Sequence, residues 1–245
     1  MIFNLKTIAA IFIAVTAGYA PVSASYDEAL KLFQEKKYKE SLQKIAGELN
    51  TTDDFNEGSP NFNLRFLAAH NHWKLGNKDS AYSHFKRCME IKKESVDPYV
   101  DSALLMIELK KYGDAERIAR KGQGISDSPM FSYILGKISL INKNYPRAKE
   151  LFEKANSMNQ ELYISYNDLG IALLNLKKFS QANTAFSIAN ELHGDSHEIL
   201  NNLGLSYEKI GDYKKALECF TRAGELDGQN TVIAKNISRV KNRKQ

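Results

Sequence analysis

The sequence lacks the short motifs that mark many catalytic centres. It contains no GxSxG, HExxH, Walker phosphate loop or CxxC pair. These absences argue against an enzyme, and we expect neither catalytic residues nor a cofactor. At the same time, 43% hydrophobic and 10% aromatic residues argue against a disordered chain. The sequence therefore indicates a folded protein in which these catalytic motifs are absent.

Histidines are few, and their spacing does not favour a metal site. His193 and His197 are four residues apart, but Gly194 lies between them, so we expect the pair to lie across a turn. We therefore expect no bound metal. The other three are expected to be ordinary hydrogen-bonded side chains: His70, His72 and His84.

Long hydrophobic runs are also rare. The longest, Ile8 to Ala17, is shorter than the roughly 20 residues of a membrane-spanning helix. It follows Lys6 and precedes a small-x-small site that ends at Ala24, which is the pattern of a secretory signal. We expect residues 1–24 to be a cleaved signal peptide, with retention as an anchor as the alternative. The residue directly after the expected cut is Ser25 and not the cysteine that a lipid anchor requires, so the sequence predicts a periplasmic or secreted protein that is not a lipoprotein.

Acidic residues are absent after Asp227. Of the 34 basic residues, one lies in the first 24 residues and five lie after Asp227, which leaves 28 against 29 acidic residues in the body. The body is therefore nearly neutral, and the basic charge belongs to the tail. Because nucleic-acid binding requires a basic stripe along a folded face, we expect no nucleic-acid partner.

A 34-residue period runs through the second half of the chain. The pair Leu203–Gly204 recurs as Leu169–Gly170 and as Leu135–Gly136. Apolar residues keep the same register in four further columns: Tyr145, Phe179 and Tyr213; Ala148, Ala182 and Ala216; Phe152, Phe186 and Phe220; Ala155, Ala189 and Ala223. Within each unit, apolar spacing of three and four residues is interrupted by a turn, so the unit is predicted to be helix, turn, helix.

In these columns the sequence resembles the tetratricopeptide repeat. The resemblance implies an all-α fold, an α-solenoid of about six helix-turn-helix repeats that form a right-handed superhelix. Residues 231–245 would follow as a capping helix, which covers the last apolar face, and a basic tail. The expected repeats are 25–61, 62–95, 96–128, 129–162, 163–196 and 197–230.

The repeat register also gives expectations for single residues. Gly204 lies in mid-helix, where we expect it, together with Ala216, to let two helix backbones approach closely. Cys88 and Cys219 fall in the second and sixth repeats, too far apart in a solenoid for an intramolecular disulfide. Cys88 occupies an alanine column and is expected to be buried, whereas Cys219 is expected to be partly exposed.

The resemblance further implies a concave groove lined by the first helix of each repeat. Steps of three and four residues keep unit positions 2, 5, 9, 12 and 13 on one helix face. The expected groove is apolar and aromatic, suited to an amphipathic helix or an extended apolar peptide. The alternative is that several of these side chains simply pack against adjacent helices. The candidate residues are Phe33, Phe66, His70, Trp73, Leu104, Ile107, Tyr133, Leu140, Asn167, Leu174 and Asn201, with Ile164 and Glu208 beside them.

We expect Phe66, His70 and Trp73 to form the centre of this groove. The resemblance and the signal together imply a non-enzymatic scaffold of the bacterial cell envelope that binds a protein or peptide. The last three repeats resemble the tetratricopeptide proteins of tight-adherence pilus operons, which implies pilus or secretion-system assembly. A periplasmic chaperone and a regulator of cell-wall enzymes are the alternatives, and exposed groove aromatics would favour a homo-oligomer.

Overall fold

The computed structural model describes residues 23–51 and 61–243, and every regular element in these residues is an α-helix. The expected signal segment lies outside the described residues, apart from Ser23 and Ala24. No helix in the described part is both long and apolar enough to cross a membrane. The helices are α1 (Ala24–Gln34), α2 (Tyr38–Thr51), α3 (Asn61–Lys74), α4 (Lys78–Ile91), α5 (Asp97–Glu108), α6 (Tyr112–Gln123), α7 (Pro129–Ile141), α8 (Tyr145–Met158), α9 (Tyr163–Asn175), α10 (Phe179–Leu192), α11 (His197–Ile210), α12 (Tyr213–Leu226) and α13 (Thr231–Arg243).

The turn between the two helices of a repeat reverses the chain through one residue in the left-handed conformation. Such a residue stops the first helix and directs the chain back along it. Glycine takes this conformation at least cost and occupies two of the turns, whereas lysine occupies the others. The residues are Lys36, Gly76, Lys110, Lys143, Lys177 and Gly211.

Contacts divide the chain into two compact units, Met1–Leu109 and Lys110–Gln245, called here the N-terminal and C-terminal units. In the described part of each unit, every helix packs on the next one along the chain. First helices of consecutive repeats also touch, as α9 touches both α7 and α11. The all-α fold of packed helix pairs is therefore confirmed.

The recurring glycines receive the aromatic ring of their own repeat. A Cβ atom at Gly204 would lie 2.7 Å from Cε1 of Phe220. The same approach occurs at Gly136 and Gly170, where a Cβ would lie 2.8 and 2.5 Å from a phenylalanine ring. The three atoms nearest to a Cβ at Gly204 all belong to the Phe220 ring, and the backbone approach expected beside Ala216 stays a prediction.

The two cysteines lie as expected. Cys88 is fully buried, its thiol lies 3.7 Å from the Phe62 carbonyl oxygen, and burial raises the pKa of that thiol above its ordinary range. Cys219 is half-buried, and burial raises the pKa of its thiol to about 11. Because the thiolate is the reactive form, neither cysteine is activated as a nucleophile at neutral pH.

The last helix, α13, packs on α12 and keeps the register of a first helix. Its inner face buries Ile233, Asn236 and Val240. Its outer face exposes Ala234, Ser238 and Lys241, whereas the corresponding positions of α11 are Leu200, Gly204 and Tyr207, of which the first two are buried. An apolar inner face and a small or polar outer face are what a capping helix requires.

Candidate binding surface on the first helices

The structure places the predicted groove residues at two depths. Five are buried, with 2 to 7% of their surface exposed: Phe33, Phe66, His70, Leu104 and Tyr133. The other six are half-buried: Trp73, Ile107, Leu140, Asn167, Leu174 and Asn201. Buried side chains cannot contact a partner in this conformation, so any binding surface depends on the half-buried ones.

Phe66 and His70, the expected centre of the groove, belong to the core of the N-terminal unit. Both rings meet Phe85 of α4 edge to face, with centroids 5.7 and 5.2 Å away. Trp73 also meets Phe85 edge to face, at 6.0 Å, but keeps part of its surface exposed. Phe66 and His70 therefore pack against an adjacent helix, where they cover the Phe85 ring.

Polar contacts join α3 to α5 in the N-terminal unit. Nε2 of His70 lies 3.1 Å from a carboxylate oxygen of Asp101. The indole Nε1 of Trp73 donates a hydrogen bond of 2.6 Å to Glu108, whose other oxygen lies 2.8 Å from the Lys78 ammonium. Two of the predicted binding residues therefore hold neighbouring first helices together.

The C-terminal unit repeats this arrangement with different chemistry. The Lys137 ammonium donates a 2.6 Å hydrogen bond to Asp168, and the Tyr133 hydroxyl lies 3.3 Å from the same carboxylate oxygen. Burial, with Asp168 beside it, raises the pKa of Tyr133 well above its ordinary value, so the hydroxyl stays a neutral donor. Lys137 and Asp168 occupy the same repeat positions as His70 and Asp101.

Asparagine pairs continue the contacts between first helices. The Asn202 amide donates to Asn167 at 3.0 Å, which links α11 to α9. One repeat later, the Asn236 amide donates to Asn201 at 2.8 Å, which links α13 to α11. Asn167 and Asn201, both predicted to contact a partner, each use one side-chain oxygen for this contact within the protein.

A charged pair joins the last two of these helices, α11 and α13. Arg239 of α13 donates two hydrogen bonds to Glu208 of α11, at 2.9 and 2.5 Å. These hydrogen bonds lower the pKa of Glu208, whose carboxylate is largely covered. The flanking charges at both ends of the C-terminal unit, Lys137 and Arg239, are therefore already paired.

Half-buried apolar side chains are what this face leaves open. They lie on α7, α9 and α11 at repeat positions 2, 9 and 12, which share one helix face. The candidates chosen from the sequence do not include Ile171 and Leu205. Both lie at repeat position 9, the same position as His70 and Leu104. We call the set the first-helix patch: Leu140, Ile164, Ile171, Leu174 and Leu205.

The five histidines contact other side chains of the protein. Within residues 23–51 and 61–243, no group of three or more histidine, cysteine, aspartate and glutamate side chains could hold an ion. His193 stacks on Tyr163 at 4.5 Å, and His197 lies 3.8 Å from Asp227. His72 and His84 stack on each other with ring centroids 5.4 Å apart.

Two groups of the N-terminal unit should respond to pH in opposite directions. Burial, with His72 and Arg65 nearby, lowers the pKa of His84 from 6.5 to about 4. As pH falls through this window the unfolded chain binds a proton first, so stability is lost. Burial, with Asp101 nearby, raises the pKa of Asp97 from 3.8 to about 6. Here the folded chain binds a proton first as pH falls, so stability is gained.

We therefore expect His84→Gln and Asp97→Asn to change the pH dependence of stability in opposite senses. Between about pH 6.5 and 4.5, His84→Gln should lose less stability than the wild type and Asp97→Asn should lose more, each by about 1 to 2 kcal/mol. Urea unfolding followed by the fluorescence of Trp73, the single tryptophan, measures this in the N-terminal unit. Parallel pH profiles for all three proteins would contradict the expectation.

Two segments of the chain match a known repeat family. Residues 62–95 and 197–230 match models of the tetratricopeptide repeat. Both segments are tetratricopeptide repeats. The resemblance seen in the sequence is confirmed at these two places, and the helix pairs around them pack in the same way. No curated protein matches the chain significantly.

Solved structures show the same fold across most of the chain. The chain is similar to one in the APC/C hetero-tetramer Cut9–Hcn1, with a TM-score of 0.77 and 15% identity over 88% of this chain, which spans 42% of that one. A tetratricopeptide repeat protein from Parabacteroides merdae gives 0.67 and 15% over 88% of this chain and 82% of that one. YrrB, a TPR protein with an unusual peptide-binding site, gives 0.54 and 14% over 81% and 96%.

The fold is that of a tetratricopeptide repeat protein. In total, 385 chains of known structure match, so the fold is widespread and does not by itself select a partner. A fold of this type is consistent with a scaffold for protein interactions, and nothing in the described residues points to catalysis. The identity of the partner must therefore be argued from the surface.

Proposed function

We propose that the protein is a non-enzymatic adaptor that binds an apolar segment of a partner protein on the first-helix patch. One observation carries the proposal: polar side chains of this face hydrogen-bond to each other, while five apolar side chains are only partly buried. Binding would release the water in contact with that apolar surface. This release contributes a favourable free energy of roughly 25 cal/mol for each Å² of apolar surface covered.

The paired charges define the chemistry of the partner segment. Lys137 and Arg239 flank the patch, but each already contacts a carboxylate. A ligand held by a terminal carboxylate would have to displace Asp168 or Glu208. An amphipathic helix needs no such displacement, because it can cover the patch with apolar side chains at three- and four-residue spacing.

The binding of peptides by a related fold supports this choice, since YrrB is a TPR protein with an unusual peptide-binding site.

We further propose that the adaptor acts in the bacterial envelope, in an assembly such as a pilus or a secretion system. This finer proposal depends on Lys6, the apolar run that follows it and the small residues that end at Ala24. If it is right, the chain recovered from the periplasm should begin at Ser25 by mass spectrometry. A full-length chain in the cytoplasm would contradict export.

The binding proposal is tested by Ile171→Asp together with Leu205→Asp in the tagged full chain. We expect crosslinked capture from native envelopes to recover a defined partner with the wild type and at least tenfold less with the variant, because a carboxylate in an apolar contact must be desolvated. Leu226→Asp is the matched control, since Leu226 is 46% exposed but lies outside the patch. Circular dichroism checks that the helices persist.

Three outcomes would count against the binding proposal. Capture that survives both patch substitutions would place the partner elsewhere, and capture lost equally in Leu226→Asp would show no role for the patch. Suppression of client aggregation with no fixed partner would favour the chaperone alternative.

A further inference from the structure

The turns of the C-terminal unit fall into two sets of opposite charge. The turns inside a repeat, which join a first helix to a second, contain five lysines and one carboxylate, that of Asp212. The turns that lead to the next repeat contain four carboxylates and no lysine or arginine. We call the first set the lysine edge, Lys110, Lys111, Lys143, Lys177 and Lys178, and the second the carboxylate edge, Asp127, Glu161, Asp195 and Asp227.

Each set lies along one side of the unit. Helices joined by short turns run antiparallel, so alternate turns fall on opposite sides. On the carboxylate edge, Tyr163 at the start of α9 stacks on His193 in the next turn, and His197 at the start of α11 approaches Asp227. On the lysine edge, the α9–α10 turn and the end of α11 line one shallow depression, formed by Lys177, Lys178, Phe179, Ser180, Gln181, Lys209 and Ile210.

Most of these charges have no ionic partner among the residues that the structure describes. The five lysines of the lysine edge are exposed, and no carboxylate in the described residues lies within ion-pair distance of them. On the carboxylate edge, Glu161 and Asp195 are likewise exposed and without an ion pair, while Asp127 contacts Lys154. Unpaired charge of one sign along an edge attracts a surface of the other sign.

Exposed apolar side chains accompany the carboxylates at the ends of the second helices. They recur once in each repeat and are 36 to 46% exposed: Ile125, Met158, Leu192 and Leu226. The lysine edge also carries an exposed apolar side chain, Ile210, at 44%. Both edges thus offer apolar contact as well as charge.

We propose that two copies of the chain associate through their C-terminal units, with the lysine edge of one copy against the carboxylate edge of the other. Like edges would repel, so the contact joins different surfaces and leaves one edge of each copy open for another copy. The second copy is favoured over a foreign cationic segment because this chain itself carries the complementary charge at the same 34-residue period. The inference uses the turns and does not depend on the first-helix patch.

The test is sedimentation velocity on the full chain, with two charge-reversed variants. In the first, Lys111→Glu and Lys178→Glu reverse two charges and so neutralise the lysine edge, at residues with negative φ. In the second, Glu161→Lys and Asp195→Lys reverse two charges and so neutralise the carboxylate edge. All four residues are exposed, so circular dichroism should be unchanged.

We expect wild-type association to weaken at least about tenfold between about 20 and 500 mM NaCl, because salt screens exposed charges. Neither variant should associate with itself, whereas an equimolar mixture of the two should associate, since each then presents the charge that the other needs. Patch substitutions Ile171→Asp and Leu205→Asp should leave this association unchanged, which separates it from partner binding.

A monomer at both salt concentrations overturns the proposal. So does self-association of either variant at the wild-type level, or a mixture that stays monomeric. Association that resists salt but disappears in Leu192→Ser would assign the contact to apolar packing and also overturn the assignment to charge.

Discussion

Gly204→Leu is expected to lower the free energy of unfolding by about 3 kcal/mol, the upper range for forcing extra atoms into a packed core. The Phe220 ring occupies the space that the new side chain needs, and even a Cβ would lie 2.7 Å from it. Phe220 is itself fully buried, so it has no free direction in which to move. Thermal or urea unfolding followed by circular dichroism measures the change.

Gly224 provides the matched control in the same repeat. A Cβ there would meet its nearest neighbour at 3.5 Å, an ordinary contact. Gly224→Ala should therefore stabilise by up to about 1 kcal/mol, through the better helix propensity of alanine. Gly204→Ala should destabilise in spite of the same gain. Equal effects of the two alanine substitutions would show that helix propensity, and not the ring, determines the response.

Lys137→Met is expected to destabilise by about 3 kcal/mol, because removal of one partner leaves a buried charge uncompensated. The Asp168 side chain is only 4% exposed and Lys137 only 13%, so water cannot replace the lost ammonium. The Tyr133 hydroxyl would remain as a neutral hydrogen-bond donor at 3.3 Å. Urea unfolding at neutral pH measures the loss.

The surface pair Lys149 and Glu153 is the control for this prediction. It has nearly the same separation, 2.7 Å, but exposed fractions of 26% and 49%. Lys149→Met should change stability by less than about 0.5 kcal/mol. Adding Asp168→Leu to Lys137→Met should restore most of the lost stability, because it removes the unpaired charge. If the double variant were less stable than Lys137→Met, the cost would lie in packing and not in charge.

The repeat was readable from the sequence because its signal is local and periodic. Gly136, Gly170 and Gly204 recur at one spacing, and each is followed 16 residues later by the phenylalanine that covers it in the structure. Helix, turn and register follow from such patterns, since they depend on residues close together in the chain. The family resemblance and the all-α fold could therefore be predicted before any coordinates.

The candidate site could be predicted only in part. Repeat position selected Leu140 and Leu174, which are half-buried in the structure, but it also selected Phe66, His70 and Tyr133, which are buried. Position within a repeat gives the direction of a side chain from its own helix. It does not show how closely the neighbouring helix packs over that side chain, and this packing decides how much of the side chain is exposed.

By itself, the sequence determined the helix pairs, the 34-residue register, the glycine slots and the opposite charges of the two sets of turns. Only the tertiary structure decided which side chains are satisfied within the chain: Asp168 by Lys137 and Tyr133, Asn167 by Asn202, and Glu208 by Arg239. The physical reason is that periodicity arises from bonded neighbours, whereas burial and pairing arise from residues about one repeat away, whose distance is set by how closely successive helices pack.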